Sequence, residues 1–470
     1  MSEPKSYIQV LSPELLGRVF DAYAHKPDEE KHLIGLETTL FSSCESGFYA
    51  NPVILSHVSK NWRNISLDRP TLWSTMIMVR PIASHIPKVE NWLERSKTAP
   101  LTLQIMQTIP DDDTPIEPLR EERTAVNTIL EMLLKHIERW EAITFFLCIG
   151  FLPAFAEFPQ GKLDQLKSAT LNLATWSTHP QVVDRVFRAI HAAPELEFVS
   201  WCASFFQTGL PDHVPWQQLK RIELDVNDIS EEPSSVGYVL DILSKCPQLT
   251  SAKFILGFCK TTTPKALNTP LNLPNLRSLA LDEASSPNIA YVLQNLTLPS
   301  LHTLNLSLFS DEERSSANLF KAVGSLVGRS KSTLKYLGLD IDDEQLLKLL
   351  PFAKDVEVLR VGGAKTKKFT SLLTRNANNK ISLEVLPKLE YLHLTYAQDA
   401  MRPHRISAST AALNRMVVFR TSQPPATPGL KKLKFISVGT AASSFQTAHI
   451  TLILGTYSHL NLKSVRFEGN

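Results

Sequence analysis

The chain has 470 residues, enough to bury a large core, and its 43% apolar and 20% charged content is that of an ordinary soluble protein, not of a disordered one. Five cysteines (Cys44, Cys148, Cys202, Cys246, Cys259) are odd in number and lack metal-ligand spacing, which excludes a disulfide framework or zinc cluster and predicts reduced thiols, hence cytoplasm or nucleus. Net charge is +2 but uneven: from residue 354 onward 17 Lys and Arg stand against 6 Asp and Glu, and before it 32 stand against 41.

The first predicted helix opens at Ser12-Pro13-Glu14. Serine is a good N-cap, proline suits the first helical position, and glutamate suits the positive end of the dipole. Leu15, Leu16, Val19, Phe20 and Tyr23 then recur at helical spacing as one apolar stripe. A polar stretch begins at Lys26, and the gap runs to about Ala50. Asn51 and Pro52 repeat the start signal, and Ile54, Leu55, Val58, Trp62 and Ile65 form a second stripe. A tail, Arg69-Pro-Thr-Leu72-Trp73-Ser, completes the pattern. Two short helices bury too little to be stable alone, so they must pack on each other and on the tail.

These two helix signatures and the tail, in this order and spacing, resemble an F-box. The proline stands one place later than in the usual Leu-Pro opening, and the inserted loop is of a kind found in F-box proteins of mushroom-forming fungi. The resemblance implies docking onto the Skp-type linker, and through it the cullin, of an SCF ubiquitin ligase. It assigns that contact to Leu11, Pro13, Leu15, Leu16, Val19, Phe20, Ile54, Leu55, Val58, Trp62, Leu72 and Trp73.

Residues 79–160 read as a linker with first, atypical repeats. Met76–Val79, Leu101–Ile105 and Ile143–Leu147 are strand-like; His85–Ser96 and Leu119–Trp140 are helical. The most apolar run, residues 143–158, is interrupted by Gly150 and Pro153 and is too short to cross a bilayer, so no membrane contact is expected.

From residue 161 to 470 a motif Leu-x-x-Leu-x-Leu recurs. It is clearest at Leu219–Leu224, Leu276–Leu281, Leu301–Leu306, Leu334–Leu339, Leu389–Leu394 and Leu430–Phe435. Successive motifs start 22 to 41 residues apart, at and beyond the upper end of the roughly 20–29 usual for leucine-rich repeats. The asparagine that usually follows the motif is absent, as in degenerate members. Val236–Lys245 and Asp343–Phe352 read as outer helices. The expected fold is an α/β (α+β) repeat: a small helical F-box at 8–78 with an inserted loop at 25–50, then an irregular leucine-rich-repeat solenoid, horseshoe or arc. Side chains between the strand leucines would line its concave face, with Tyr336, Asp340, Arg360, Tyr391, His393, Lys432, Lys434 and Arg466 as candidate substrate contacts.

Chemistry is sparse. No phosphate loop, nucleophile elbow or metal motif occurs, so no cofactor, no metal and no enzymatic activity are expected. Asp340–Glu344 reads as a turn capping the next helix, and Gly362–Lys368 as a plain turn. The resemblance thus implies a substrate-recognition adaptor for an unknown protein substrate, and the basic C-terminal third would suit one that is acidic or phosphorylated. Two alternatives stay open: a repeat scaffold without ubiquitination, and an anion or nucleic-acid binder using the basic C-terminal third, though no regular interleaving with aromatics favours nucleic acid.

Overall fold

The computed structural model describes residues 8, 11–25, 52–110, 114–202, 211–225, 236–256, 269–308, 319–340, 343–362, 386–396, 431 and 435–440. The chain forms two compact units, Met1–Leu219 and Lys220–Asn470. Neither residue 78 nor residue 160 coincides with that division. Each unit is mixed α/β, with parallel strands in chain order and helices on many return segments.

The N-terminal unit opens with α1 (Pro13–His25), α2 (Pro52–Val58), α3 (Lys60–Leu67) and a 3-10 turn at Pro70–Trp73. Ser12 caps α1, its Oγ accepting the Leu15 N–H at 3.4 Å and its carbonyl the Leu16 N–H at 2.9 Å. The second apolar stripe is not one helix, as its spacing predicts. Ser59 is extended (φ −159°, ψ 166°) and its Oγ accepts the Trp62 N–H at 3.1 Å, so it ends α2 and caps α3. A serine side chain that competes for backbone donors favours such a break. Arg63 spans it, donating from Nε to the Ser56 carbonyl at 3.1 Å.

Strands β1 (Thr75–Val79), β2 (Leu101–Met106), β3 (Trp140–Phe146), β4 (Ser168–Asn172) and β5 (Phe198–Cys202) follow, each parallel to the next. Between them run α4 (Ile86–Ser96), α5 (Ile116–Leu134) and α6 (Pro180–His191). The helix expected over Leu119–Trp140 stops at Leu134, and Trp140 opens β3 instead. Side-chain bonds explain the stop. Trp140 Nε1 folds back to the Leu133 carbonyl at 3.2 Å, and the buried Arg139 donates to Ser96 Oγ (2.7 Å) and the Ala99 carbonyl (3.0 Å). Both need the chain to turn between 134 and 140.

The C-terminal unit runs β6 (Arg221–Asp225), α7 (Gly237–Lys245), β7 (Ser251–Ile255), β8 (Leu271–Asn272), β9 (Ser278–Ala284), α8 (Ser286–Gln294), β10 (Leu296–Thr297) and β11 (Thr303–Leu308). Then come α9 (Leu319–Ser330), β12 (Tyr336–Asp340), α10 (Asp343–Leu349), β13 (Val358–Gly362), β14 (Tyr391–Tyr396) and β15 (Phe435–Thr440). β8 and β10 form a short parallel pair of their own; the other strands of this unit make one parallel sheet in chain order.

The register shows why the motif works. Leu279, Leu304, Leu337, Leu359 and Leu392 stand opposite one another on successive strands, and so do Phe254, Leu281, Leu306, Leu339 and Val361. All ten are buried. Just ahead of the strands the backbone adds a further rung, from Arg277 through His302, Lys335 and Glu357 to Glu390, with N–H···O distances of 2.8–2.9 Å. Each strand alone would expose its leucines; stacking covers them.

β15 departs from expectation. The motif at Leu430–Phe435 predicts Lys432 opposite Tyr391, but Tyr391 pairs with Phe435, a slip of three residues. The slip is already present at Lys431, whose N–H goes to the Pro387 carbonyl at 2.8 Å and not to that of Glu390. The run Leu433-Lys-Phe435-Ile436-Ser-Val438 holds two overlapping apolar alternations, and the ladder uses the second, setting Ile436 and Val438 opposite Leu392 and Leu394.

Candidate functional site

Helix α1 carries two apolar stripes one residue apart. Leu16, Phe20 and Ala24 are buried, in one cluster with Leu55, Ile65, Leu72 and Trp73. Leu15 (51% exposed), Val19 (44%) and Tyr23 (51%) point outward, continuing the line begun by Leu11. On α2 the same division places Leu55 inside and leaves Ile54 (57%) and Val58 (56%) outside. A soluble helix ordinarily hides its apolar stripe, so a second one left in water is a candidate interaction surface.

What holds this surface is clear from its underside. Trp73 is fully buried, donates from Nε1 to the Ser66 carbonyl at 2.8 Å, and meets the edge of Trp92 with ring centroids 4.9 Å apart. The Arg95 guanidinium lies 4.3 Å from the Trp73 ring centre, so α4 braces the module through both contacts. Asp21 on α1 pairs with Arg69 and accepts from Thr71 Oγ1 at 3.0 Å, tying α1 to the tail. Gly17 makes room for this clamp; a Cβ there would overlap the Arg69 guanidinium.

Of the residues assigned to the linker contact, Leu11, Pro13, Leu15, Val19, Ile54 and Val58 lie at the surface. Leu16, Phe20, Leu55, Leu72 and Trp73 do not: they are core. Trp62 is half-buried against Phe20, ring centroids 4.8 Å apart, and belongs with them. The stripe read from spacing as one face is thus two faces. Tyr23 and Ile8, which the resemblance does not assign to the contact, are also exposed. For Tyr23 the signal was present, since 11, 15, 19 and 23 are evenly spaced by four.

Of the other candidates, Tyr336, Asp340, Arg360, Tyr391 and His393 lie on strands of the C-terminal unit. Tyr336 is not a solvated strand position but 6% exposed. Burial pushes its phenol up from the usual value, and a hydrogen bond from Arg360 pulls it partly back. Arg360 and Tyr391 are half-buried on neighbouring strands. The side chains of Asp340 and His393, and all of Lys432, Lys434 and Arg466, lie outside what is described. Lys253 and Asp282 form an ion pair at 3.3 Å on the same sheet.

Reactive groups are few among the described residues. Cys148 and Cys246 are buried thiols whose pKa burial raises, that of Cys246 to about 12, so neither is a thiolate nucleophile. No group of three or more His, Cys, Asp or Glu among the described residues could hold a metal. In the N-terminal unit His191 and His213 face each other, Nδ1 to Nδ1 at 2.8 Å, beside Trp201 and with Asp184 3.9 Å from His213 Nε2. Burial, then the neighbouring His213, lowers the His191 pKa to about 3. This is a neutral, packed pair. No helix among the described residues is long and apolar enough to cross a membrane.

No protein-family model matches the chain, and no curated protein does. Among solved structures, it is similar to a Bacteroides fragilis protein at 16% identity and a TM-score of 0.36, over 52% of this chain and 72% of that one. It is also similar to TLR13 in a complex with ssRNA13 at 14% identity and a TM-score of 0.26, over 66% of this chain and 47% of that one. Likenesses this low carry no argument about what the chain does.

Proposed function

We propose that this chain is the substrate-recognition adaptor of an SCF-type ubiquitin ligase, working in the cytoplasm or nucleus. Its N-terminal helices act as an F-box that docks on a Skp-type linker, and its leucine-rich repeats hold a protein substrate. Catalysis is by proximity; the chain supplies no reacting group. The observation that carries the reading is the outward stripe of Leu15, Val19 and Tyr23 on α1 with Ile54 and Val58 on α2. It lies on the segment whose motif order resembles an F-box. Burying each such side chain stabilises a complex by roughly 1.5–3 kcal/mol before association costs.

The experiment is co-purification of the chain with a Skp-type linker, comparing wild type with Leu15→Asp/Ile54→Asp. Both positions lie in the first turn of a helix, where an aspartate suits the dipole and leaves the fold intact. A stoichiometric complex lost in the variant is expected. Folded wild type without a complex would leave a repeat-based binder with no ligase attached; a complex that survives the variant would mean that another surface holds the linker.

A further inference from the structure

In each motif of the C-terminal unit, the residue after the first leucine stands just ahead of its strand. On five successive strands it is exposed: Lys220 before β6, Thr250 before β7, Arg277 before β9, His302 before β11 and Lys335 before β12. Backbone bonds fix these five as one row. The Thr250 N–H donates to the Lys220 carbonyl at 2.8 Å, that of Arg277 to Thr250 at 2.8 Å, that of His302 to Arg277 at 2.9 Å and that of Lys335 to His302 at 2.9 Å. With strands about 4.8 Å apart, the row spans roughly 19 Å.

This edge of the sheet is cationic. Segments 220–221, 245–251, 273–278, 298–303 and 331–336 lead into the five strands. All are described, and they hold six Lys and Arg and no Asp or Glu. Lys245 at the end of α7 and Lys331 just past α9 are exposed as well. Arg221 leans to Glu223, at 3.8 Å, and is left out of the strip. Beyond β12 the sign reverses: the next two positions of the row are Glu357 and Glu390, which face Lys431 Nζ at 4.0 and 2.7 Å. Composition hides the strip, because the chain before residue 354 carries more Asp and Glu than Lys and Arg. Folding collects cations that lie between 220 and 335 in sequence onto one edge.

The row sets one position on each strand, so its cations are spread along a line. A phosphate site instead gathers several donors on one anion, often with a bidentate arginine. Single-stranded nucleic acid is held by stacking on aromatic rings, and the row contains no Phe, Tyr or Trp. Spread charge suits a ligand whose own charge is spread. The row is as long as about six extended residues, whose alternate side chains fall on one side. We propose that this edge, through Arg277 and Lys335 with Lys220, docks an acidic segment of the protein substrate, an extended run of Asp and Glu. The inference rests on the reading that the repeats hold a protein substrate, and it names the chemistry of that substrate.

The test uses the full chain and fluorescent peptides of equal length with a central run of Glu or of Ser, beside an oligothymidylate of matching charge. The Glu peptide should bind wild type about tenfold tighter than the Ser peptide, the factor that two or three exposed ion pairs supply, and the difference should shrink as salt rises. Arg277→Glu/Lys335→Glu should abolish the preference. Lys135→Glu/Lys162→Glu alters exposed cations of the N-terminal unit, changes net charge equally, and should keep it. Thermal melts check folding; should the first variant fail to fold, Arg277→Gln/Lys335→Gln decides, with a severalfold loss expected. Equal binding of the Glu and Ser peptides to wild type, or an intact preference in the folded strip variant, overturns the proposal. So does an equal loss in Lys135→Glu/Lys162→Glu, which would assign the effect to net charge, and so does tighter binding of the oligothymidylate than of the Glu peptide. Linker capture is measured on the same samples. A peptide preference without linker capture would keep the strip and remove the adaptor role; linker capture without preference would do the opposite.

Discussion

Replacing Leu55 by alanine would open a cavity among Leu16, Phe20 and Trp73, and large-to-small core changes of this kind cost about 2–5 kcal/mol. Replacing its neighbour Ile54 by aspartate should change stability by no more than about 0.5 kcal/mol, because the side chain stands in water. Urea unfolding of the two variants should separate them, and a large loss in Ile54→Asp would mean that the outer stripe is core after all. His191 behaves differently again. Its folded pKa is about 3 and its ordinary value 6.5, so between those values the unfolded chain holds a proton that the native one refuses. Stability is therefore full above about pH 6.5 and declines as pH falls toward 3, at most about 1.4 kcal/mol per pH unit. The partner His213 adds to the slope, since burial, then Arg188, lowers its pKa too, while Asp184 and Asp212 oppose them. The pH dependence of unfolding should flatten in His191→Gln, which stays neutral and can still meet His213; an unchanged slope would assign the acid sensitivity to other groups.

Among the elements, Arg139 is the clearest single tie. Its buried guanidinium bonds Ser96 at the end of α4 and Ala99 just before β2, closing the turn between them. Arg139→Ala should lower the stability of the N-terminal unit by about 3 kcal/mol, since bonds to a charged group contribute roughly 1.5–3 kcal/mol each and are not additive. A loss under 1 kcal/mol in urea titration would show the turn to be held by backbone alone. Such ties explain where sequence reading succeeds and fails. Strands at Leu276–Leu281 or Leu334–Leu339 are legible because alternation alone buries their leucines, whatever the neighbours do. The break at Ser59 and the stop at Leu134 depend on single side-chain bonds, by Ser59 Oγ and by Arg139 and Trp140, which no periodicity encodes. The β15 register was unreadable for another reason: two apolar alternations compete within six residues. Likewise, spacing identified the apolar residues of α1 but not which of its two stripes faces out. Leu15 and Leu16 are 100° apart on a helix, and only the position of Leu72 and Trp73 decides between them.

At the scale of the whole molecule, the proposal demands that two unrelated surfaces act through one chain. The outer stripe belongs to the N-terminal unit and the ladder of strand leucines to the C-terminal one. Leu15→Asp/Ile54→Asp should therefore lose the linker without loosening the ladder. Hydrogen exchange at the strand amides of residues 278–308 reads this directly, because those amides open only with the elements that bury their leucines. Unchanged protection with linker capture lost would assign the stripe to a partner. Faster exchange in the variant would mean that the stripe braces the fold of the whole chain and does not face a partner.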